Sequence, residues 1–142
     1  MKTQITDYLT EDGKNLREEV FVKEQGFSAE IELDEIDNIA YHLVIYKNEI
    51  PVAAGRMFSS IEDKSVYTIG RVAVKEEYRR QSIGREILSS LEEYAKGLGA
   101  SKIQLHSQCL SQSFYEKCGY TAVGDIFYEE LCPHIHMEKS LL

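Results

Sequence analysis

The sequence predicts an α+β fold, a mixed sheet in a three-layer, α/β/α-like arrangement rather than a doubly wound one. Three observations carry the prediction. The apolar spacing orders the chain as β-α-(α)-β-β-β-α-β-α-β-β. The early strands are separated by short polar turns, as antiparallel neighbours are. A long amphipathic segment then links the most strand-like stretch to a further strand, as an α/β crossover does.

Each element has a local reason. "TQITDYL" (Thr3–Leu9) alternates as a first strand, and Leu16, Val20 and Phe21 fall at helical spacing between about Asp12 and Gln25, ended by Gly26. The acidic stretch that follows reads as a loop or a short second helix. "AYHLVIY" (Ala40–Tyr46), a "KNE" turn and "IPVAAGRMF" (Ile50–Phe58) form a hairpin, and "SSIEDKS" leads into the strand "VYTIGRVAV" (Val66–Val74). Ile83, Ile87, Leu91, Tyr94 and Leu98 form one apolar helical stripe, closed by Gly97 and Gly99. "SKIQLHSQ" is a strand, "LSQSFYEKCGY" a short helix ending at Gly119, and "TAVGDIFYEE" and "PHIHMEKSL" are two last strands around a loop.

Composition narrows the function. The chain has 142 residues without repeat or linker, which predicts one domain over 1–142. A net charge of −8 argues against a nucleic-acid surface. No apolar run approaches the roughly 20 residues that span a bilayer, and the N-terminus lacks the apolar core of a signal peptide, so the expectation is cytoplasmic residence with no membrane partner. Cys109, Cys118 and Cys132 have neither disulfide-scaffold nor metal-ligand spacing, and no metal is expected. "EIELDEID" (Glu30–Asp37) carries five carboxylates. It reads either as a solvated loop or as an acidic rim for a cationic substrate.

The turn "EYRRQSIG" runs directly into the long helix. A helix N-terminus leaves backbone N–H groups unpaired and partly positive, so such a turn binds anions without a particular side chain. Arg79, Arg80 and Arg85 invert the local sign of an acidic protein. "VAVKEEYRRQSIGREIL" resembles the acetyl-CoA-binding motif of the GCN5-related N-acetyltransferase (GNAT) superfamily, a strand, then R/Q-x-x-G-x-G/A, then a helix. Arg79, Ser82 and Gly84 hold the marked positions, with Ser82 in place of the usual first Gly. With negative φ at that position Ser costs little; with positive φ it is strained. "SQSFYEKCGY" resembles the superfamily's A-x-x-x-Y-x-x-x-G-F block. "LREEVFVKEQGF" followed by D-x-x-D-x-x-A-x-H-L, and the tail "CPHIHMEK", resemble the small bacterial ElaA/YjcF-like branch.

The resemblance implies the GNAT fold: a mixed sheet of about six to seven strands with a splayed parallel pair, and about four helices. It implies acetyl-CoA as co-substrate, with the pantetheine arm on the backbone of Val72, Ala73 and Val74. The pyrophosphate would lie on the turn from Arg79 and Arg80 through Gln81, Ser82, Ile83 and Gly84 to Arg85. It further implies Gln108 on the arm, Lys117 near a CoA phosphate, Tyr115 as the acid that protonates the leaving thiolate, and His134 as base. His42, His106, His136 and Glu24 are alternative bases, as is water alone. Arg17, Phe21, Glu24, Arg56 and Arg71 would line the acceptor pocket. The implied activity is N-acetylation of a primary amine on a small molecule by direct attack in a ternary complex. A non-catalytic acyl-CoA sensor and a protein lysine or N-terminal acetyltransferase are the alternatives. A homodimer is a family-based expectation.

Overall fold

The computed structural model describes residues 1–27 and 33–142. Glu30 and Glu32 of the acidic stretch lie outside the described residues. The elements are β1 (Lys2–Thr6), α1 (Glu11–Arg17), a π-helical continuation (Glu18–Glu24), a 3-10 turn (Glu35–Asn38), β2 (Tyr41–Lys47), β3 (Ile50–Ser59), β4 (Val66–Val74), α2 (Ile83–Gly97), β5 (Lys102–Gln108), α3 (Gln112–Lys117), β6 (Thr121–Glu129) and β7 (Cys132–Ser140). Single 3-10 turns precede α2 and α3.

All seven strands form one sheet in the order β1-β2-β3-β4-β5-β7-β6. The first four strands pair antiparallel in sequence order. The α2 crossover then sets β5 parallel to β4, and the β6–β7 hairpin returns with β7 against β5. Strand alternation divides the core. Leu43 and Ile45 pack with Ile83, Ile87, Leu88 and Leu91 of α2, whereas Val44 and Ala54 pack with Leu16 of α1 on the other face. Burying each such aliphatic side chain contributes about 1.5–3 kcal/mol, so α2 owes its place to this face.

Two strand irregularities shape the middle of the sheet. β4 and β5 pair only from Val66↔Lys102 to Thr68↔Gln104, and beyond that they part. β4 stays on β3 as far as Val74↔Ala53, and β5 stays on β7 as far as Gln108↔His134. The V-shaped gap between them is therefore held open by pairing on both outer sides. The second irregularity is a bulge: Ala54 faces Ala73 but Arg56 faces Gly70, so Gly55 opposes both Arg71 and Val72. Arg71 takes φ 52° there.

Three sequence expectations change. β1 stops at Thr6, because Asp7 and Tyr8 are exposed past the last pairing with β2. The first helix widens to π geometry after Arg17. In α2 the apolar stripe does not hold to its end: Tyr94 and Leu98 are 39% and 42% exposed, while Leu88 and Ala95 are buried. At about 100° per residue the five stay on one side of the helix, so it is position along the axis that exposes the last two: Tyr94 lies in the final turn and Leu98 is the C-cap. Tyr94 instead lies 5.1 Å from the Tyr41 ring, centroid to centroid.

Candidate active site

The gap between β4 and β5 opens into two adjoining chambers. The turn chamber, about 630 Å³, is walled by Val72, Ala73 and Val74 of β4, by Arg79 and Arg80, and by Ser82 through Arg85 at the start of α2. The hairpin chamber, about 520 Å³, lies between β4, the end of β5 and the β6–β7 hairpin, with Phe21, Arg56 and Arg71 in its wall. Gln25, Val72, Ser111 and Tyr115 line both chambers.

The turn presents backbone donors. Arg80 and Ser82 both hold φ 64°, in the left-handed region. The first bond of α2 runs from Glu86 N–H to the Ser82 carbonyl at 3.1 Å, and no side chain caps the helix. The N–H groups of Ile83, Gly84 and Arg85 thus precede the helix ladder, beside the positive dipole end. Ser82 takes the positive φ that strains a serine. Gly84 has a different reason: a Cβ there would come within 3.0 Å of Phe114 Cζ, so its bareness lets α2 approach α3.

Arg79 is committed to the protein. Its Nε donates to the Val74 carbonyl at 2.9 Å, and its two terminal nitrogens donate to Glu24 at 2.7 and 2.8 Å. Lys75 N–H bonds to the Val52 carbonyl on β3, so by alternation Val74 turns its backbone groups toward the gap, where Arg79 takes the carbonyl. Glu24 is held below the usual carboxylate range, chiefly by the Arg79 hydrogen bond, which weakens it as a base. It lines neither chamber.

Tyr115 stands where the chambers join, its ring 5.1 Å from Phe114 and 6.0 Å from Tyr120. Its hydroxyl makes no hydrogen bond among the described residues. Burial, aided by Cys118, pushes the phenol up to about 12. It therefore stays protonated at neutral pH and can give a proton but not take one. His134 lies in the hairpin chamber and is 6% exposed. Its Nδ1 lies 2.8 Å from the Cys132 carbonyl, which can only accept. The proton therefore sits on Nδ1, and in the neutral ring Nε2 carries the lone pair.

Several expected site residues lie elsewhere. Arg17 is 2% exposed and lines neither chamber; its fork meets Asp37 at 2.8 and 3.1 Å. Gln81 accepts from Lys47 at 2.7 Å, away from the turn chamber. Lys117 is exposed on α3, outside both linings. Gln108 faces the hairpin chamber and donates to Gln25 across the gap at 3.2 Å. His42 is buried against the Asp37 carbonyl and His136 pairs with Glu138, so neither lines a chamber. The described part of the acidic stretch is not an open rim. Asp34 binds Arg56 and Arg71, and Asp37 binds Arg17 and Arg56.

The chamber also contains His106, named above as an alternative base, and three residues that sequence reasoning did not assign to it: Glu129, Ser111 and Phe27. The spacing of His106 and Glu129 carries no motif, since it is the β5–β7–β6 pairing that brings them together; Ser111 comes from the 3-10 turn before α3 and Phe27 from the stretch after the π-helical segment. Among the described residues no group of three or more His, Cys, Asp or Glu is arranged to hold a metal ion, and no helix is long and apolar enough to cross a membrane.

A parted parallel strand pair, a bare helix N-terminus at one end of the gap and a second chamber at the other define an acyl-CoA-type N-acyltransferase. The chain belongs to the GNAT acetyltransferase family: the model described as "Acetyltransferase (GNAT) domain" matches residues 5–141. It lies in the ElaA/YjcF-like branch and is an acyltransferase enzyme. It is 38% identical over 131 residues to YjcF of Bacillus subtilis, named an uncharacterized N-acetyltransferase, covering 91% of each chain. The crystal structure of Escherichia coli ElaA superposes with a TM-score of 0.84 at 28% identity, covering 97% of this chain and 98% of that one. An aminoglycoside 6′-N-acetyltransferase complexed with coenzyme A shares the fold, with a TM-score of 0.78 at 17% identity over 100% of this chain and 98% of that one.

Proposed function

We propose that this protein transfers the acetyl group of acetyl-CoA to a primary amine of a small molecule, by direct attack in a ternary complex. The observation that carries the reading is the junction at Tyr115, a protonated phenol between a chamber of backbone donors and a chamber holding His134 Nε2. The turn suits a pyrophosphate: the N–H groups of Ile83, Gly84 and Arg85 precede the helix ladder, and Arg80 and Arg85 add charge. The pantetheine arm would follow β4, using the backbone of Val72 and the N–H of Val74, since Arg79 holds the Val74 carbonyl. A hairpin chamber of about 520 Å³ suits a small acceptor.

In this reading His134 Nε2 takes a proton from the acceptor amine, the nitrogen attacks the thioester carbon, and Tyr115 protonates the sulfur as the C–S bond breaks. Calorimetry should detect saturable acetyl-CoA binding, and an amine panel should release free thiol. Tyr115→Phe should lower kcat about 100-fold while acetyl-CoA affinity holds. His134→Ala should cost a similar factor near neutrality, recovering as pH rises and the amine loses its own proton. Acetyl-CoA binding without turnover of any amine would instead make this a non-catalytic acyl-CoA module.

A further inference from the structure

Three side chains from three strands meet in the wall of the hairpin chamber: His106 of β5, Glu129 of β6 and His134 of β7. His106 Nδ1 lies 2.8 Å from Glu129 Oε1. A carboxylate can only accept, so the imidazole donates and anchors that oxygen. The second oxygen, Oε2, lies 3.7 Å from His134 Nε2, beyond hydrogen-bond reach. Because His134 Nδ1 donates to the Cys132 carbonyl, the neutral ring turns a lone pair toward Glu129. Two acceptors therefore face each other across a gap inside a cavity. A cation bearing several N–H groups satisfies both at once.

Two other carboxylates lie in this wall, Asp34 and Glu130: Asp34 is taken up by the wall's two arginines, and Glu130 is exposed at the tip of the hairpin. Asp34 accepts from Arg56 at 2.6 Å and from Arg71 at 3.3 Å. Glu129 faces imidazoles instead. The hairpin end that carries it is held at a conformational cost: Glu129 pairs with Cys132, and the turn residues Glu130 and Leu131 take φ 47° and 64° although neither is glycine.

We propose that Glu129 is the docking carboxylate for the acceptor's ammonium group, with His106 positioning it, so that the bound nitrogen lies against His134 Nε2. The proposal rests on the reading that the acceptor is a primary amine. Near neutrality an alkylamine is mostly protonated, so the site must first hold a cation and then disarm it. One ammonium N–H bond breaks and its proton binds His134 Nε2, leaving the nitrogen with a lone pair. The imidazolium so formed lies beside the Glu129 carboxylate. After attack, a second proton leaves the adduct nitrogen and replaces the one Tyr115 gives to sulfur. The proton on His134 returns to solvent.

The test compares wild type, Glu129→Gln and Glu129→Lys with acetyl-CoA and a panel of benzylamine, phenethylamine, cadaverine and spermidine, read as thiol release near neutral pH. Glu129 is 46% exposed, so thermal unfolding and acetyl-CoA affinity should hold in both variants. With the best acceptor, Glu129→Gln should raise KM about tenfold and change kcat less than about threefold, and Glu129→Lys should raise KM further. An unchanged KM in Glu129→Gln, or a fall in kcat with no rise in KM, overturns the docking role and leaves the amine reading intact. If wild type releases thiol with none of these amines, the amine reading fails and the docking role fails with it.

Discussion

Ser82 holds φ 64° without a side-chain hydrogen bond to the helix it precedes, so its hydroxyl does nothing local to offset the strain. A residue with a Cβ in the left-handed region costs about 1 kcal/mol, and glycine avoids that cost. Ser82→Gly should therefore raise thermal stability by about 0.5–1 kcal/mol, partly offset by the freer unfolded chain. Acetyl-CoA affinity, measured by calorimetry, should stay equal or improve if backbone N–H groups hold the pyrophosphate. A loss beyond about tenfold would assign that contact to the hydroxyl. The residue type at this position was legible in the chain, but its φ was not. Backbone conformation here follows from how β4, the 3-10 turn and α2 are joined. Tyr115 shows the same division: the motif names the residue, while burial between Phe114 and Tyr120 raises its pKa.

Among the elements, β3, β4 and α2 meet most tightly at Gly55. A Cβ there would lie 2.9 Å from Ile87 Cγ2, on a side chain that is 0% exposed. That methyl sits on a branched Cβ and has nowhere to swing. Gly55→Ala should cost about 1–3 kcal/mol in denaturant unfolding, and Ile87→Leu, which removes the methyl, should recover part of it. The same residue opposes the Arg71–Val72 bulge, so crowding at Gly55 should also disturb the strand that borders both chambers. Helical periodicity found α1 and its continuation, and Leu16 and Val20 are buried as that period requires. It did not find the π widening, which gives no pattern of its own in the chain. Phe21, one residue past Val20, lies in the hairpin chamber wall, its ring 6.4 Å from Phe27. π-helical turns are often found at functional sites.

At the scale of the whole molecule, a chain of charge, buried at Arg17, Asp37 and Arg56 and half-buried at Asp34 and Arg71, ties α1, the 3-10 turn, β3 and β4 together: Arg17–Asp37–Arg56–Asp34–Arg71. Burial alone would raise the Asp37 carboxyl, but Arg17 and Arg56 outweigh it and hold it at about 2, from 3.8. Asp34 is likewise lowered, Arg56 and Arg71 outweighing its burial. A carboxyl depressed in the folded state stabilises above its unfolded value and loses that contribution as pH falls through the folded one. For Asp37 the contribution is about 2 kcal/mol, present above about pH 4 and lost toward pH 2. His42, lowered by desolvation from 6.5, acts in the same direction at milder acidity, since the unfolded chain takes up its proton first. Thermal unfolding followed from pH 7 to pH 2 should show this loss. Asp37→Asn, which leaves Arg17 and Arg56 short of a counter-charge, should cost about 3 kcal/mol at neutrality and flatten the acid limb. The sequence by itself determined the fold class, the element order and the turn before α2, because periodicity and short motifs are local properties of the chain; Tyr115 and His134 were named through the family resemblance, and both line the hairpin chamber. Only the tertiary structure decided that Asp34 and Asp37 are consumed by arginines from distant elements, that Arg17 is buried away from both chambers, and that Glu129 faces His106 and His134. Those contacts join residues up to 37 positions apart through strand pairing and burial, which no local pattern encodes.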